Sequence, residues 1–315
     1  MLVDLGIQIE PQFGFSFQDV KDIAKFGRES GFSTIWFSDH FMLDKDATDR
    51  ELLDPWLLMT ALVTIDQDIR VGSLVFCNSY RHPPLHAKMG ATLDVLSNGR
   101  LEFGIGAGWK ELEYNAYGYP FPSDSTRIDQ LAEAVQIIKG IWTSERFSYE
   151  GDHYQIRDLI SYPKPIQEPH PSVWIGSMKA GDRLLELTAR YGDGINLAWA
   201  YSPSFCQERF ELLDEMIETS GRNPSEVKRS IGLWTRVFDS EKDMDSAIKE
   251  NALKRGIEEN QYRDRVASAL WGTPESIAER LREYKDIGVS DIILMFPHGE
   301  EIEYIKRFEK IIDKV

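Results

Sequence analysis

Two adjacent residues, Asp39 and His40, offer acid–base chemistry directly after a predicted strand at 34–38. A histidine side chain titrates near neutral pH, and a neighbouring carboxylate can raise its basicity. A helix cap beside a structural histidine is the competing interpretation, because aspartate is also a common N-cap residue. We predict Asp39 and His40 as catalytic residues and keep the cap as the alternative.

A glycine-rich stretch offers a second property, the close approach of a ligand to bare backbone. Apolar residues alternate with Gly104 and Gly106 along 101–106, and Gly108 and Trp109 follow. A dinucleotide fingerprint, GxGxxG, is excluded because it requires glycine where Trp109 stands. Close packing of a helix against the strand is the other interpretation of such glycines. We predict that these glycines let a ligand lie against the backbone.

A metal centre and several hydrolytic sites are disfavoured by the motifs. His82 and His86 have the i, i+4 spacing of a helical metal pair, but Pro83 and Pro84 lie between them. A metal site also needs three or four ligands, and no carboxylate follows at a suitable spacing. The HExxH, P-loop and GxSxG patterns are missing from the sequence. We therefore predict no metal site, no P-loop and no serine nucleophile elbow.

The composition of the chain limits the kinds of partner and the cellular compartment that we expect. The chain has 315 residues and a formal charge of −16, with no cluster of lysine and arginine, so a nucleic-acid partner is not expected. Its two cysteines lack the number and spacing of a disulfide framework. No signal peptide and no long apolar span stand out, so we expect a cytoplasmic protein without a membrane partner.

Strands and helices alternate along the whole sequence, without a run of consecutive hairpins. The predicted strands are at 2–9, 34–38, 70–76, 101–106, 172–176, 194–198, 230–237 and 291–296. Eight such units indicate a (β/α)₈ TIM barrel, an α/β fold, and an open doubly wound sheet is the alternative. We predict one domain over 1–315, with insertions at about 109–170 and 239–270.

In such a barrel the site forms where the strands end. These positions carry Glu10, Gln12, Phe13, Asp39, His40, Cys77, Asn78, Ser79, Ala107, Gly108, Trp109, Gly176, Ser177, Met178, Trp199, Tyr201, Thr235, Arg236 and His298. They predict a wide aromatic pocket with few charges, suited to a large planar cofactor or an apolar substrate. Gly176 to Met178 precede a helix near Gly181, where a phosphate could bind; an ordinary loop is equally compatible.

Several long motifs occur in one order and together resemble the luciferase-like monooxygenase superfamily. They are IQIEPQFG at 7–14, SDHF at 38–41, SYRHP at 79–83, TLDVLSNGRLEFGIGAGW at 92–109, YPKPIQEPHPSVWIG at 162–176, YGDGIN at 191–196 and GTPESIAERLREYKDIGVSDIILMF at 272–296. Within that superfamily the sequence is similar to the branch of oxidoreductases that use the deazaflavin coenzyme F420. The barrel is shared with relatives that use FMN.

The resemblance implies a bacterial-luciferase-like barrel, usually a homodimer, with the cofactor at the carboxyl ends of the strands. Carried over by position, Asp39 would contact the deazaflavin and His40 would lie near its reactive face. A non-prolyl cis peptide behind the ring would fall between Leu74 and Val75. Residues implied to line the ring and its side chain are Cys77, Ala107 and Gly108, and those implied to meet the phosphate are Gly176, Ser177 and Met178.

One departure from the F420-dependent relatives bears on the substrate. Glucose-6-phosphate dehydrogenases of this branch carry a glutamate at the position of Trp109 and basic residues for the sugar phosphate. Residues 194–203 of this chain contain no lysine or arginine, so sugar-phosphate oxidation is not expected. The predicted substrate pocket consists of Glu10, Phe13, Trp109, Trp199 and Tyr201.

These observations lead to a function prediction with two alternatives. We predict an F420-dependent oxidoreductase that moves a hydride between C5 of the deazaflavin and a small, largely apolar organic substrate. Asp39 would hold either His40 or the cofactor while His40 moves the proton. An FMN-dependent monooxygenase with a partner reductase is one alternative. A non-catalytic F420-binding protein is the other.

Overall fold

A closed parallel barrel forms the centre of the protein. The computed structural model describes residues 3–199 and 201–312. Within these ranges the barrel strands are β1 (Asp4–Ile9), β2 (Thr34–Phe37), β3 (Arg70–Ser73), β4 (Leu101–Gly106), β5 (Val173–Ser177), β6 (Gly194–Leu197), β7 (Lys228–Val237) and β8 (Asp291–Met295). Each strand pairs in parallel with the next, and β8 pairs with β1. This closure confirms the (β/α)₈ barrel and rules out the open sheet.

Helices surround the barrel and connect its strands. They are α1 (Phe17–Glu29), α2 (Pro55–Ile65), α3 (Pro83–Leu96), α4 (Glu111–Tyr117), α5 (Asp124–Thr143), α6 (Asp182–Tyr191), α7 (Pro203–Thr219), α8 (Glu241–Arg255), α9 (Glu259–Val266), α10 (Pro274–Asp286) and α11 (Glu301–Ile312). Local capping explains several starts. Ser16 and Asp19 form a reciprocal capping box at α1, and the Asp54 side chain accepts a hydrogen bond from the Leu57 N–H at α2.

The third strand differs from its prediction. A continuous strand over 70–76 is wrong, because β3 ends at Ser73 and the chain bulges at Leu74 and Val75. The peptide between Leu74 and Val75 is cis, as the family resemblance implied. Pairing resumes at Phe76–Cys77, which lies beside β4. The bulge places Val75 in the barrel mouth.

Large indole rings fill the barrel interior. Trp36 and Trp174 meet edge to face with their ring centroids 6.1 Å apart. Glycines on the neighbouring strands give Trp36 its room: a Cβ on Gly6 would lie 2.5 Å from Trp36 Nε1, and one on Gly72 would lie 2.6 Å from Trp36 Cε3. The interior is therefore a packed core below the strand ends rather than a channel.

Two long connections follow β4 and β7. The first holds α4, the outer helix α5 and a hairpin of Phe147–Glu150 with Gln155–Leu159. The second holds α8, α9 and a short strand, Leu270–Gly272, which extends the sheet beside the end of β7. The sequence analysis predicted neither that strand nor α11. Leu2, the first residue of the predicted strand at 2–9, falls outside the described residues. Every helix in the described ranges is too short or too polar to span a membrane.

Candidate active site

A cavity of ≈ 1080 Å³ opens at the carboxyl ends of the barrel strands. Predicted site residues that line it are Glu10, Phe13, Asp39, His40, Leu74, Val75, Cys77, Ala107, Gly108, Trp109, Gly176, Ser177, Met178 and Trp199. Tyr201 is described by the structure but is not one of the residues that line the cavity. Its hydroxyl donates a hydrogen bond to the carbonyl of Met178, which does line it. The structure therefore brings together residues from separate strands, and their assigned roles stay predictions.

The cavity is more charged than the sequence analysis predicted. The expectation of few charges is wrong, because the long connection after β4 contributes Lys110, Glu113 and Arg127 to the lining. Lys179 and Arg183, beside the start of α6, add two more cations. Strand-end positions alone could not show these residues, since they lie on helices and loops that fold back over the barrel.

His40 is held by a buried carboxylate. Its Nδ1 lies 2.9 Å from Glu113 Oε2, and the Glu113 side chain is fully buried. Oε1 of Glu113 accepts hydrogen bonds from the N–H groups of Phe41 and Met42 at 2.8 and 3.0 Å. Burial opposes ionisation of Glu113, but the hydrogen bonds from His40 and its other donors lower its pKa to about 2. The ionised carboxylate can only accept, which leaves Nε2 of His40 for the cavity.

Asp39 has a different partner from the one that its position beside His40 suggested. Its Oδ2 lies 2.7 Å from Arg81 Nη1 and 3.0 Å from the Cys77 N–H, while Arg81 also pairs with Asp54 at 3.0 Å. Burial raises the pKa of Asp39, and Arg81 opposes that shift. Oδ1 is buried without a hydrogen-bond partner among the described residues. Asp39 was expected to hold either His40 or the cofactor. Because Glu113 holds His40, contact with a cofactor is the role that stays a prediction for Asp39.

Three glycines on β4 and β5 have a structural explanation in the bulge of the third strand. A Cβ on Gly106 would lie 2.7 Å from Val75 Cγ2, and one on Gly176 would lie 2.7 Å from Val75 Cγ1. A Cβ on Gly104 would overlap the Ser73 carbonyl. These three glycines are closely packed, but their neighbour is the bulge of the third strand and not a helix, as the alternative interpretation of Gly104 and Gly106 had it. Val75 lines the cavity here together with Gly106 and Gly176.

Gly108 and Cys77 form a second tight contact at the cavity floor. Gly108 has a φ of 78°, and a Cβ there would lie 2.7 Å from Cys77 Sγ. Cys77 Sγ lies 3.1 Å from the Tyr114 hydroxyl. Burial raises the pKa of the Cys77 thiol to about 12, so it remains protonated and unreactive at neutral pH.

A polar corner of the cavity lies between β5 and α6. The Ser177 hydroxyl is buried without a hydrogen-bond partner among the described residues. Gly181 precedes α6, no side chain caps this helix start, and a Cβ on Gly181 would meet open space. Lys179 lines the same part of the cavity. Free N–H groups at a helix start, an unpaired hydroxyl and a lysine together suit an anionic group.

The partners of His40 and Asp39, which are Glu113 and Arg81, were also missed by sequence reasoning. Glu113 and His40 are 73 positions apart, and Arg81 and Asp39 are 42 apart. The sequence did offer a chemical signal for each. Glu113 is a glutamate in the first turn of the helix after the fourth strand, and Arg81 is an arginine after the third strand. The His86 ring packs among Trp56, Phe76 and Phe103. In residues 3–199 and 201–312 no three potential ligands converge on a metal position.

Comparison with known proteins shows which family this chain is similar to. The family model for luciferase-like monooxygenases matches residues 4–291. The chain is 26% identical over 332 residues to the FMNH(2)-dependent dimethylsulfone monooxygenase of Pseudomonas putida, covering 95% of this chain and 89% of that protein. It is 23% identical over 327 residues to the F420-dependent glucose-6-phosphate dehydrogenase of Amycolatopsis mediterranei, covering 96% and 95%.

A solved structure shares the whole fold. The structure of an F420-dependent secondary alcohol dehydrogenase in complex with an F420-acetone adduct superposes with a TM-score of 0.83. The alignment covers 100% of this chain and 99% of that one, at 20% sequence identity. Because the family model spans most of the sequence and the barrel is closed as described, the chain belongs to the luciferase-like monooxygenase family.

Proposed function

We propose that this protein is an F420-dependent oxidoreductase, which moves a hydride between C5 of the deazaflavin and a small, largely apolar organic substrate. The observation that carries the proposal is the His40–Glu113 pair at the cavity, which leaves Nε2 of His40 able to give or take a proton. F420-dependent dehydrogenases are among the relatives that align over nearly the whole chain, which supports the choice of cofactor.

The cavity suits a large, polar-edged cofactor. Asp39 Oδ1 and Ser177 Oγ are buried without hydrogen-bond partners among the described residues, and both side chains line the cavity. A ligand that donates to the first and accepts from the second would satisfy both groups. Val75 and Gly108 would lie against the ring, and Met178 with Lys179 would lie near the phosphate. F420 supplies the hydride chemistry when bound.

The chain's own contribution is orientation and one proton. His40 would donate or accept this proton through Nε2, at the substrate atom that changes its protonation state. Arg81 holds Asp39 in place, and two amide side chains hold Glu10: Gln8 Nε2 lies 2.8 Å from Glu10 Oε1, and Gln12 donates to Oε2. These bonds fix the polar groups that face the ligand before it arrives.

The substrate is proposed to be apolar because the cavity offers few free cations. Arg127 and Arg183 line it, but Arg127 pairs with Asp124 at 2.6 Å and Arg183 donates to Ser125 at 2.7 Å. Lys110 donates to the Met42 carbonyl. Three indoles of the lining, at Trp109, Trp199 and Trp234, are the larger recognition surface. Phe13 and Glu10 complete the proposed substrate pocket, with Tyr201 behind Met178.

We further propose a homodimer in the cytoplasm. Helix α2 contains no charged residue, yet Leu57 is 72% exposed, and Leu85 and Leu96 are exposed on the neighbouring α3. A second copy that docks here would bring the same uncharged surface. Contact through other, acidic surfaces would be opposed by repulsion, because each chain has a formal charge of −16. Light scattering should give a dimer mass, and Leu57→Glu should give a monomer. A monomeric wild type would reject this arrangement.

Cofactor titration tests the main proposal. Fluorescence titration should show saturable F420 binding, and His40→Gln should keep that binding but lose turnover. The FMN-dependent monooxygenase is the second candidate, supported by the dimethylsulfone monooxygenase relative. Tight FMN binding with flavin-dependent oxygen consumption and no response to F420 would favour it. F420 binding without turnover of any alcohol, ketone or enone tested would favour a non-catalytic binding protein.

A further inference from the structure

We propose that Glu113 is a positioning residue, which sets the hydrogen on Nδ1 of His40 and thereby directs the Nε2 lone pair or proton into the cavity. The inference rests on the proposed function only for the role of His40 in turnover. The placement of Glu113 stands on geometry alone. The sequence alone does not suggest this role, because Glu113 lies 73 positions after His40.

The carboxylate of Glu113 is saturated with donors. Oε2 lies 2.9 Å from His40 Nδ1 and 2.7 Å from the Tyr80 hydroxyl, and Oε1 accepts the two main-chain N–H groups that follow His40. Lys110 Nζ lies 3.4 Å from Oε1. A buried carboxylate with so many donors stays ionised and cannot itself donate a hydrogen bond. His40 must therefore present an N–H at Nδ1.

The same carboxylate also orients the backbone of the residue that it serves. By accepting from Phe41 and Met42, Glu113 fixes the chain directly after His40 to the first turn of α4. Lys110 donates to the Met42 carbonyl and reinforces this attachment. Ring orientation and tautomer are thus set by one group, which is the usual purpose of a carboxylate behind a functional histidine.

The titratable groups around Glu113 come from three segments. His40 follows β2, Tyr80 and Cys77 follow the third strand, and Lys110 precedes α4. The thiol and the phenol stay neutral at ordinary pH because burial raises the pKa of both. Neither group therefore places a second negative charge beside the Glu113 carboxylate.

Nitrogen-15 NMR of the histidine rings tests the placement without any cofactor. In wild-type protein the His40 signals, assigned by their loss in His40→Gln, should show protonated Nδ1 and unprotonated Nε2 above the pH at which the ring is charged. In Glu113→Gln, the amide NH₂ can face Nδ1 and donate to it, which should increase the Nε2–H tautomer. Glu111→Gln, an exposed change on the same helix turn, should leave the spectrum unchanged.

Turnover provides the second readout. Glu113→Gln should lower kcat by about 10- to 100-fold and move the pH midpoint of kcat to lower pH, because a neutral amide no longer stabilises the imidazolium. Its F420 dissociation constant should stay within about twofold of the wild-type value. Wild-type kcat and pH midpoint in folded Glu113→Gln, or an Nε2–H tautomer in wild type, would overturn the inference. Failure of F420 to bind wild type would reject the proposed function and leave the NMR result standing.

Discussion

Val75 and Gly106 occupy adjoining space at the barrel mouth, where a Cβ added to Gly106 would lie 2.7 Å from Val75 Cγ2. Gly176 on the next strand has the same relationship with Val75 Cγ1. Real Cβ atoms do not approach other carbons this closely, so either a side chain at these positions or the bulge would have to move. The small residues of β4 and β5 are therefore a requirement of the bulge that faces the proposed cofactor.

Gly106→Ala should weaken both stability and cofactor binding. Displacing Val75 from a packed site should lower the free energy of unfolding by about 1–3 kcal/mol, measured by urea denaturation. F420 affinity should fall in the same variant, because Val75 lines the cavity. Gly181→Ala is the stability control, since its Cβ would enter open space at an ordinary φ of −71°. Equal stabilities for the two variants would contradict this account of Gly106.

Arg81→Ala should destabilise the protein more than removal of an exposed ion pair. The side chains of Arg81 and Asp39 are 11% and 0% exposed. Without Arg81, the buried Asp39 carboxylate would lose the positive charge that compensates it. The expected cost is about 3–5 kcal/mol of unfolding free energy. Arg146→Ala removes a pair with Asp158 whose side chains are 61% and 72% exposed, and it should cost less than about 1 kcal/mol. A cost for Arg81→Ala as small as that of the control would show that Asp39 is compensated in another way.

Local signals explain why most of the barrel could be predicted from the sequence. Ser16 followed by Asp19, and Asp54 followed by Pro55, are sequence signals for helix starts, and both caps form in the structure. Alternating strand and helix periods then lead to a parallel barrel without knowledge of any long-range contact. Helix α11 carries the same kind of signal, since Ile305, Phe308 and Ile311 recur at helical spacing and are buried, although the sequence analysis did not predict it.

Long-range chemistry was harder to predict. Sequence position pairs His40 with Asp39, but adjacent residues on a strand end point in different directions, and the partner of His40 comes from α4 instead. The glycines suggested a ligand because their effect on Val75 depends on a bulge that no local pattern revealed. Charges in the cavity were underestimated for the same reason: they come from connections whose path is set by tertiary packing.

Asp291 should make the protein less stable as the pH rises. Burial at the start of β8 raises its pKa from 3.8 to about 6, against the hydrogen bond from Ser290. The folded state therefore binds a proton that the unfolded state releases between these values, so the unfolding free energy falls as the pH increases through this window. The loss should approach about 3 kcal/mol, at 1.36 kcal/mol for each pH unit of the shift.

Asp291→Asn should remove this pH dependence. The variant keeps an acceptor for the Ser290 hydroxyl, and it should match wild type near pH 4 and exceed its stability near pH 8, measured by urea denaturation at both pH values. Asp286→Asn changes an exposed carboxylate on α10 and serves as the control. Parallel stability curves for wild type and Asp291→Asn across this range would contradict the assignment.

Trp109 should determine substrate choice without affecting cofactor binding. Its side chain is 55% exposed in the cavity lining and meets His40 edge to face at 5.7 Å, so it offers an apolar wall beside the proposed proton donor. Trp109→Ala should raise KM for isopropanol or cyclohexanol by about tenfold, equivalent to about 1.4 kcal/mol of lost contact. F420 titration should give the wild-type affinity. Leu253→Ala, an exposed change on α8, should alter neither value.

Trp109→Glu makes the sharper test, because it restores the residue type found in the sugar-phosphate enzymes of this branch. Glucose-6-phosphate oxidation should still be undetectable in a coupled F420 absorbance assay, since Arg127 and Arg183 remain bound to their own partners and cannot receive the phosphate. Substrate choice would then depend on the ion pairs around the cavity as well as on the side chain beside His40. Appearance of that activity in the single variant would show that Trp109 alone excludes sugar phosphates.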